Sequence, residues 1–276
     1  MSQKSYDNTP KLYIIPTPIG NLDDITLRAI KVLEEVDVIF AEDTRVTIQL
    51  LNHLNIAKHV ISSHKFNEKQ NETKLLEYLD NNKNVGVVSD RGTPGISDPG
   101  FELVKIALKH HYNIISLPGP TAFVPALTMS GINNDHFLFY GFLDSKPGKR
   151  KREMEEVKTL PYTIIFYEAP HRIQEMIQDL IEVLGDRNIC IAREISKKFE
   201  EVYRGLASEV LKEIIDIKGE IVVIVEGSQK IDYSQISVEE HVNSYIKTGL
   251  SVMDAIKKVA KDRKINKNEI YKEYHS

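Results

Sequence analysis

The chain has 276 residues, 41% hydrophobic and 28% charged, with a formal net charge of −4, so it can bury a sizeable core but is no global polycation. No run approaches the roughly 18 apolar residues of a membrane-spanning helix, and the polar start, Met1 to Pro10, lacks the apolar middle of a secretory signal. A lone cysteine, Cys190, excludes an internal disulfide and a thiolate metal centre, and a reducing cytoplasm is the expected compartment.

Short β-branched runs alternate with helical patterns from the start. Residues 12–17, 36–43, 85–90 and 113–117 read as strands of a buried, mostly parallel sheet. Helices are expected between them at 23–35, 44–54, 68–80 and 99–110. In the first, Ile25, Leu27, Ile30, Val32 and Leu33 would share an apolar face; Asp98 would cap the fourth, with Pro99 in its first turn. A polar break at 131–135 divides this α/β layer from a second one with more mixed strand directions. Its strands are expected at 136–142, 162–168, 188–195, 201–204 and 221–226, and its helices at 170–184 and 207–217. From about Ser234 the chain is helical: Val252, Ala255, Ile256, Val259 and Ala260 share one face, and a break at 264–266 leads to a helix carrying Ile270 and Tyr274. This spacing fits a helix-turn-helix-like unit, and a plain packed hairpin fits it better. The expected domains are therefore 10–132, 133–230 and 231–276.

Positive charge is concentrated in two places. Residues 146–152 carry Lys146, Lys149, Arg150, Lys151 and Arg152 without an acid, and 247–267 hold seven basic residues against Asp254 and Asp262. Each is compatible with an ordinary solvated surface; together they favour phosphate contact, which needs local rather than total charge.

Three glycine- and proline-rich loops follow strands of the first layer: PTPIGNL at 16–22, SDRGTPGISDPG at 89–100 and LPGPTA at 117–122. In such sheets ligands collect beyond the carboxyl ends of the strands. Neither GxxxxGK[ST] nor GxGxxG is present, and prolines stand where a phosphate nest needs N–H donors. Rigid loops of this kind suit a flat, largely uncharged ligand held by backbone groups.

These loops, with AEDTR at 41–45, resemble the tetrapyrrole-methylase superfamily of S-adenosylmethionine enzymes. EAPHR at 168–172, ARE at 192–194 and GE at 219–220 carry the resemblance through the second layer, nearest the branch acting on a cytidine 2′-hydroxyl in the decoding region of 16S ribosomal RNA. It implies a two-domain α/β methylase fold with a cofactor cleft between the domains, a small C-terminal helical unit, a homodimer, and 16S RNA or the small ribosomal subunit as partner. Carried over by motif, the S-adenosyl-L-methionine contacts are Pro16, Ser89, Asp90, Gly92, Thr93, Ile96, Thr121, Ala122, Ala192 and Gly219. Candidate proton acceptors are Glu42, Asp43 and His171, although Asp43 equally fits a helix cap and His171 a structural helix start. Candidate RNA contacts are Arg45, Lys149, Arg150, Lys151, Arg152 and Arg193. Arg91 stands where this family usually has a small residue. The implied transfer requires no metal and no membrane. A tetrapyrrole substrate, or a non-catalytic RNA-binding role in ribosome assembly, are the alternatives.

Overall fold

The computed structural model describes residues 3–5, 7–63, 68–98, 100–228 and 236–276. The chain divides into two compact units, Met1–Ser228 and Gln229–Ser276.

In the first unit, β1 (Lys11–Ile14), β2 (Val38–Ala41), β3 (His59–Ser62), β4 (Val85–Val88) and β5 (Asn113–Ser116) pair in parallel, in the order β3-β2-β4-β1-β5. Helices α1 (Leu27–Glu35), α2 (Thr44–His53), α3 (Glu68–Asp80) and α4 (Gly100–Lys109) connect them. The sheet is covered on both faces, which is why β2 and β4 are apolar and buried along their whole length. One core gathers Ile15, Leu33, Ile39 and Leu51; the other gathers Phe40, Leu75, Leu79 and Leu103.

The second sheet runs β6 (Phe137–Phe142), β7 (Thr163–Glu168), β10 (Ile221–Val225), β8 (Asn188–Arg193), β9 (Glu201–Leu206) in spatial order. Only β6 and β7 pair in parallel, so the expected mixture of directions is present. Alternate residues of β7 enter different cores. Ile164 and Phe166 pack with Met154, Met176 and Val210 of α6 (Pro147–Val157), α7 (Ile173–Leu184) and α8 (Ala207–Glu213). Ile165 faces the other way, onto Ala126 and Leu127 of α5 (Phe123–Met129) and onto Ile19 of the first loop. This shared core seats the two sheets within one unit.

Several expectations need correction. The sheet has a fifth strand, β3, lying at its edge. The segment 23–35 is a short 3-10 turn, Leu22–Asp24, followed by α1, and Leu27 points away from the core at 87% exposure. The basic run at 146–152 leads into α6, with Pro147 in its first turn. Asp98 Oδ1 accepts from the Gly95 and Gly100 amides at 2.8 Å, holding the entrance to α4, whereas Pro99 lies outside the described residues.

The second unit contains α9 (Val238–Lys247), α10 (Val252–Arg263) and α11 (Lys267–Tyr274) around Val242, Ala255, Ile256, Val259 and Ile270. Ser237, Ser251 and Asn266 cap the three helices through their side chains. Lys264 adopts a left-handed conformation (φ 54°) that ends α10 at the expected break. Residues 229–235, including Ser234, lie outside the described residues.

Candidate active site

The three loops leave the carboxyl ends of β1, β4 and β5, which are neighbours in the sheet, and hydrogen bonds join them. Thr17 and Gly92 exchange backbone bonds of 2.9 and 3.0 Å, and Thr17 Oγ1 donates to the Ser89 carbonyl. Thr93 Oγ1 donates to the Pro120 carbonyl at 2.9 Å and lies 2.7 Å from Thr121 Oγ1. Gly92 can turn back toward Thr17 because its φ is +82°, a region that suits glycine.

The loops form one wall of a cleft of about 670 Å³, a size typical of small-molecule sites. The opposite wall comes from the second sheet: Tyr167 and Glu168 at the end of β7, Ala169 and Pro170 just after it, and Gly219 to Val222 around the start of β10. Of the expected cofactor contacts, Ser89, Asp90, Gly92, Thr93, Ile96, Thr121, Ala122 and Gly219 line this space.

Pro16 and Ala192 do not line it. Pro16 is packed behind the loops, where a Cβ added to Gly119 would sit 2.5 Å from its ring. Ala192 is fully buried in the shared core beside Val222. Both shape the wall from behind.

Among the proton-acceptor candidates, Glu42 lines the cleft, half-buried at the end of β2. Asp43 is the N-cap of α2: its Oδ1 accepts from the Arg45 amide at 2.9 Å, and its carboxylate also binds the Arg45 guanidinium. Its own amide donates to Asp90 Oδ1 at 2.9 Å, which ties the second loop to α2. His171 is exposed in a 3-10 turn, Pro170–Arg172, and is absent from the lining.

The RNA-contact candidates separate as well. Arg150 is a correction: it is 1% exposed, on the face of α6 that also buries Met154 and Val157, and it donates to Asp179 Oδ2 at 2.6–2.7 Å. Lys151 is partly covered and paired with Glu182 and Asp179. Lys149 and Arg152, three residues apart, are both exposed, although the Lys149 ammonium also lies 3.4 Å from the Asp144 carboxylate. Arg45 is exposed beside Asp43, and Arg193 at the end of β8 binds Glu201 and the Lys218 carbonyl.

Sequence reasoning missed Tyr167, Glu168 and Glu220. Burial pushes the Tyr167 phenol up to about 12, so it stays neutral at the cleft wall. Glu168 is 3% exposed; its Oε1 accepts from Arg172 and from the Ala169 amide, while Oε2 has no partner. A lone buried carboxylate oxygen is costly, and a donor arriving with a ligand would offset that cost. The signal for Glu168 was present in EAPHR, where a carboxylate ends an apolar strand and precedes an arginine four residues on. Among the described residues no group of three or more metal-ligating side chains is found, and no helix is long and apolar enough to cross a membrane.

The sequence profile of the tetrapyrrole (corrin/porphyrin) methylases matches residues 11–211, which includes β1 to β9 and all three loops. The chain belongs to this family. It is also similar, over nearly its full length, to proteins called ribosomal RNA small subunit methyltransferase I. The Bacillus subtilis protein is 44% identical over 96% of this chain and 94% of its own length. That of Halalkalibacterium halodurans is 41% identical over 99% of both. The uroporphyrin-III C-methyl transferase of Thermus thermophilus, solved with S-adenosylhomocysteine, gives a TM-score of 0.57 at 19% identity over 78% of this chain and 97% of that one. Diphthine synthase gives 0.60 at 14% identity over 78% and 90%. These two likenesses extend the family assignment to the fold. The family's cofactor is S-adenosylmethionine, and the cleft fits it in volume and in the unsatisfied oxygen of Glu168.

Proposed function

We propose that this methyltransferase modifies small-subunit ribosomal RNA, at the ribose 2′-hydroxyl of a cytidine in the decoding region of 16S RNA. The observation that carries the reading is the near full-length similarity to the B. subtilis protein of that name, across both sheets and the C-terminal unit. The basic faces support it: Lys149 and Arg152 on α6, and Lys257, Lys258, Lys261 and Lys264 on or just after α10, are all exposed. A tetrapyrrole substrate would give no reason for either. The protein acts in the cytoplasm, as a homodimer, on 16S RNA or the small subunit.

S-adenosylmethionine supplies a methyl carbon already activated by its sulfonium, so the chain's main task is to place the acceptor oxygen. Ser89, Gly92, Thr93, Thr121, Ala122 and Gly219 hold the cofactor between the two walls. Glu42 accepts the proton of the attacking hydroxyl, because it alone of the three sequence candidates lines the cleft. Asp43 and Asp90 keep the start of α2 against the second loop, which sets the position of Glu42.

The test is ribose-methylation mapping of small-subunit RNA from cells lacking the chain, with purified protein added back. A single missing 2′-O-methyl group, restored by the protein and its cofactor, is expected. Methylation of uroporphyrinogen in place of RNA would overturn the assignment.

A further inference from the structure

β6 carries an irregularity that changes which way its last side chain points. The strand alternates normally at first: Leu138 and Tyr140 pack toward the core under α6 and α7, and Phe139 packs toward the shared core with Tyr167. Continued alternation would send Phe142 to the same side as Tyr140. The register with β7 instead slips between Phe139 and Gly141, pairing Phe139 with Ile165 but Gly141 with Phe166 and Phe142 with Tyr167. One extra residue on the bulged strand inverts the parity of everything after it. Phe142 therefore faces the cleft, with its ring 5.5 Å from that of Tyr167 at 63°, and Leu143 takes the buried position.

The bulge lies close to the opposite wall. Gly141 has φ +86°, and a Cβ there would come within 3.2 Å of Ser97 Oγ. Ser97, in the second loop, is itself left-handed at φ +67°. Two unusual backbone positions, one from each wall, thus meet beside the ring. Phe142 is 53% exposed while lining the cleft. Five residues later the chain enters α6, which presents Lys149 and Arg152 to solvent.

We propose that Phe142 is a stacking platform for a base of the RNA substrate, either the target nucleotide's own or its neighbour's, an inference that rests on the RNA reading above. An exposed aromatic face followed by a basic helix is the pairing that single-stranded RNA binders use: the ring takes the base and the cations take the backbone. Phe142 lines the cleft yet is half exposed, so a polymer can reach it. The bulge gives up regular pairing of β6 to aim this ring at the cleft.

The test compares the wild type with Phe142→Ala and Phe142→Trp on small subunits or RNA from cells lacking the chain. Cofactor affinity is measured by calorimetry, RNA affinity by filter binding, and stacking by the fluorescence of 2-aminopurine placed next to the methylated nucleotide. Phe142→Ala should weaken RNA binding by roughly 5- to 100-fold, abolish 2-aminopurine quenching and leave cofactor affinity within about twofold. Phe142→Trp should restore binding and quenching. RNA affinity unchanged in Phe142→Ala, with the wild type active, would overturn the platform and leave the RNA function standing. Loss of cofactor affinity instead would give the ring to the cofactor and overturn the proposal. A wild type that neither binds nor methylates RNA would overturn both readings.

Discussion

Arg91 and Glu220 form an ion pair across the cleft, joining the loop after β4 to the residue preceding β10. Glu220 also accepts from Lys197 at 2.8 Å, and Lys197 binds Glu194, so one cation from the first wall closes onto a charged cluster on the second. Arg91 lines the cleft, and its side chain reaches this partner on the opposite wall. Both side chains are about half exposed (51% and 57%), so the pair is expected to contribute less than about 1 kcal/mol. A double-mutant cycle of Arg91→Ala and Glu220→Gln in urea should give a coupling of that size, shrinking in high salt. A coupling above about 2 kcal/mol would show that the pair is shielded from water.

The cations of α6 divide by burial. Arg150→Ala leaves Asp179 without its buried partner and should destabilise the first unit by about 3 kcal/mol or more, read as a lower urea midpoint. Lys149→Gln with Arg152→Gln should leave that midpoint nearly unchanged. The double variant should instead weaken RNA binding and flatten its salt dependence, because fewer counterions are released. An unchanged slope would remove α6 from the RNA face.

Glu42 tests the chemistry separately from binding. Glu42→Gln keeps the size of the side chain and removes its basicity, so methyl transfer should fall by about 100-fold or more. Cofactor affinity, measured by calorimetry, should stay within about twofold. A variant that transfers at the wild-type rate would exclude Glu42 as the proton acceptor.

In the C-terminal unit, His241 is 3% exposed, and its Nδ1 accepts from Arg263 Nε at 3.2 Å. Burial, with the nearby Arg263 charge, lowers its pKa below the ordinary 6.5, against the opposing pull of Asp262. The folded unit therefore favours neutral imidazole, and the unfolded chain binds more protons once the pH falls below about 6.5. The stabilisation is complete above that value and is lost as pH falls toward the folded pKa. An NMR titration of the His241 ring should give a midpoint below 6.5, with exchange protection of α9 and α10 weakening over the same range. A midpoint at or above 6.5 would contradict this.

Much of the first sheet was legible because parallel strands covered on both faces must be apolar throughout, as in VIFA of β2 and VGVV of β4. The loops were legible for a related reason: a chain that reverses tightly against two neighbouring loops needs glycine and proline, and these stand out in one dimension. Edge strand β3 has a half-exposed face and so no continuous apolar run. Pro16 and Ala192 carried the right motif but lie one layer behind the cleft, a depth that sequence does not encode.

By itself, then, the sequence determined the α/β layering, the three loops and the break at Lys264, all set by local periodicity and backbone preference. Tertiary structure decided the direction of individual side chains. Arg150 shares a helical face with Met154 and Val157, so the Asp179 carboxylate draws it inside although Lys149 and Arg152 on the same helix are exposed. Phe142 turns to the cleft because one extra residue in β6 shifts its pairing with β7. Both outcomes depend on what lies opposite, and the partner is remote in sequence: burial and strand register are properties of two surfaces meeting, which a pattern along one of them does not contain.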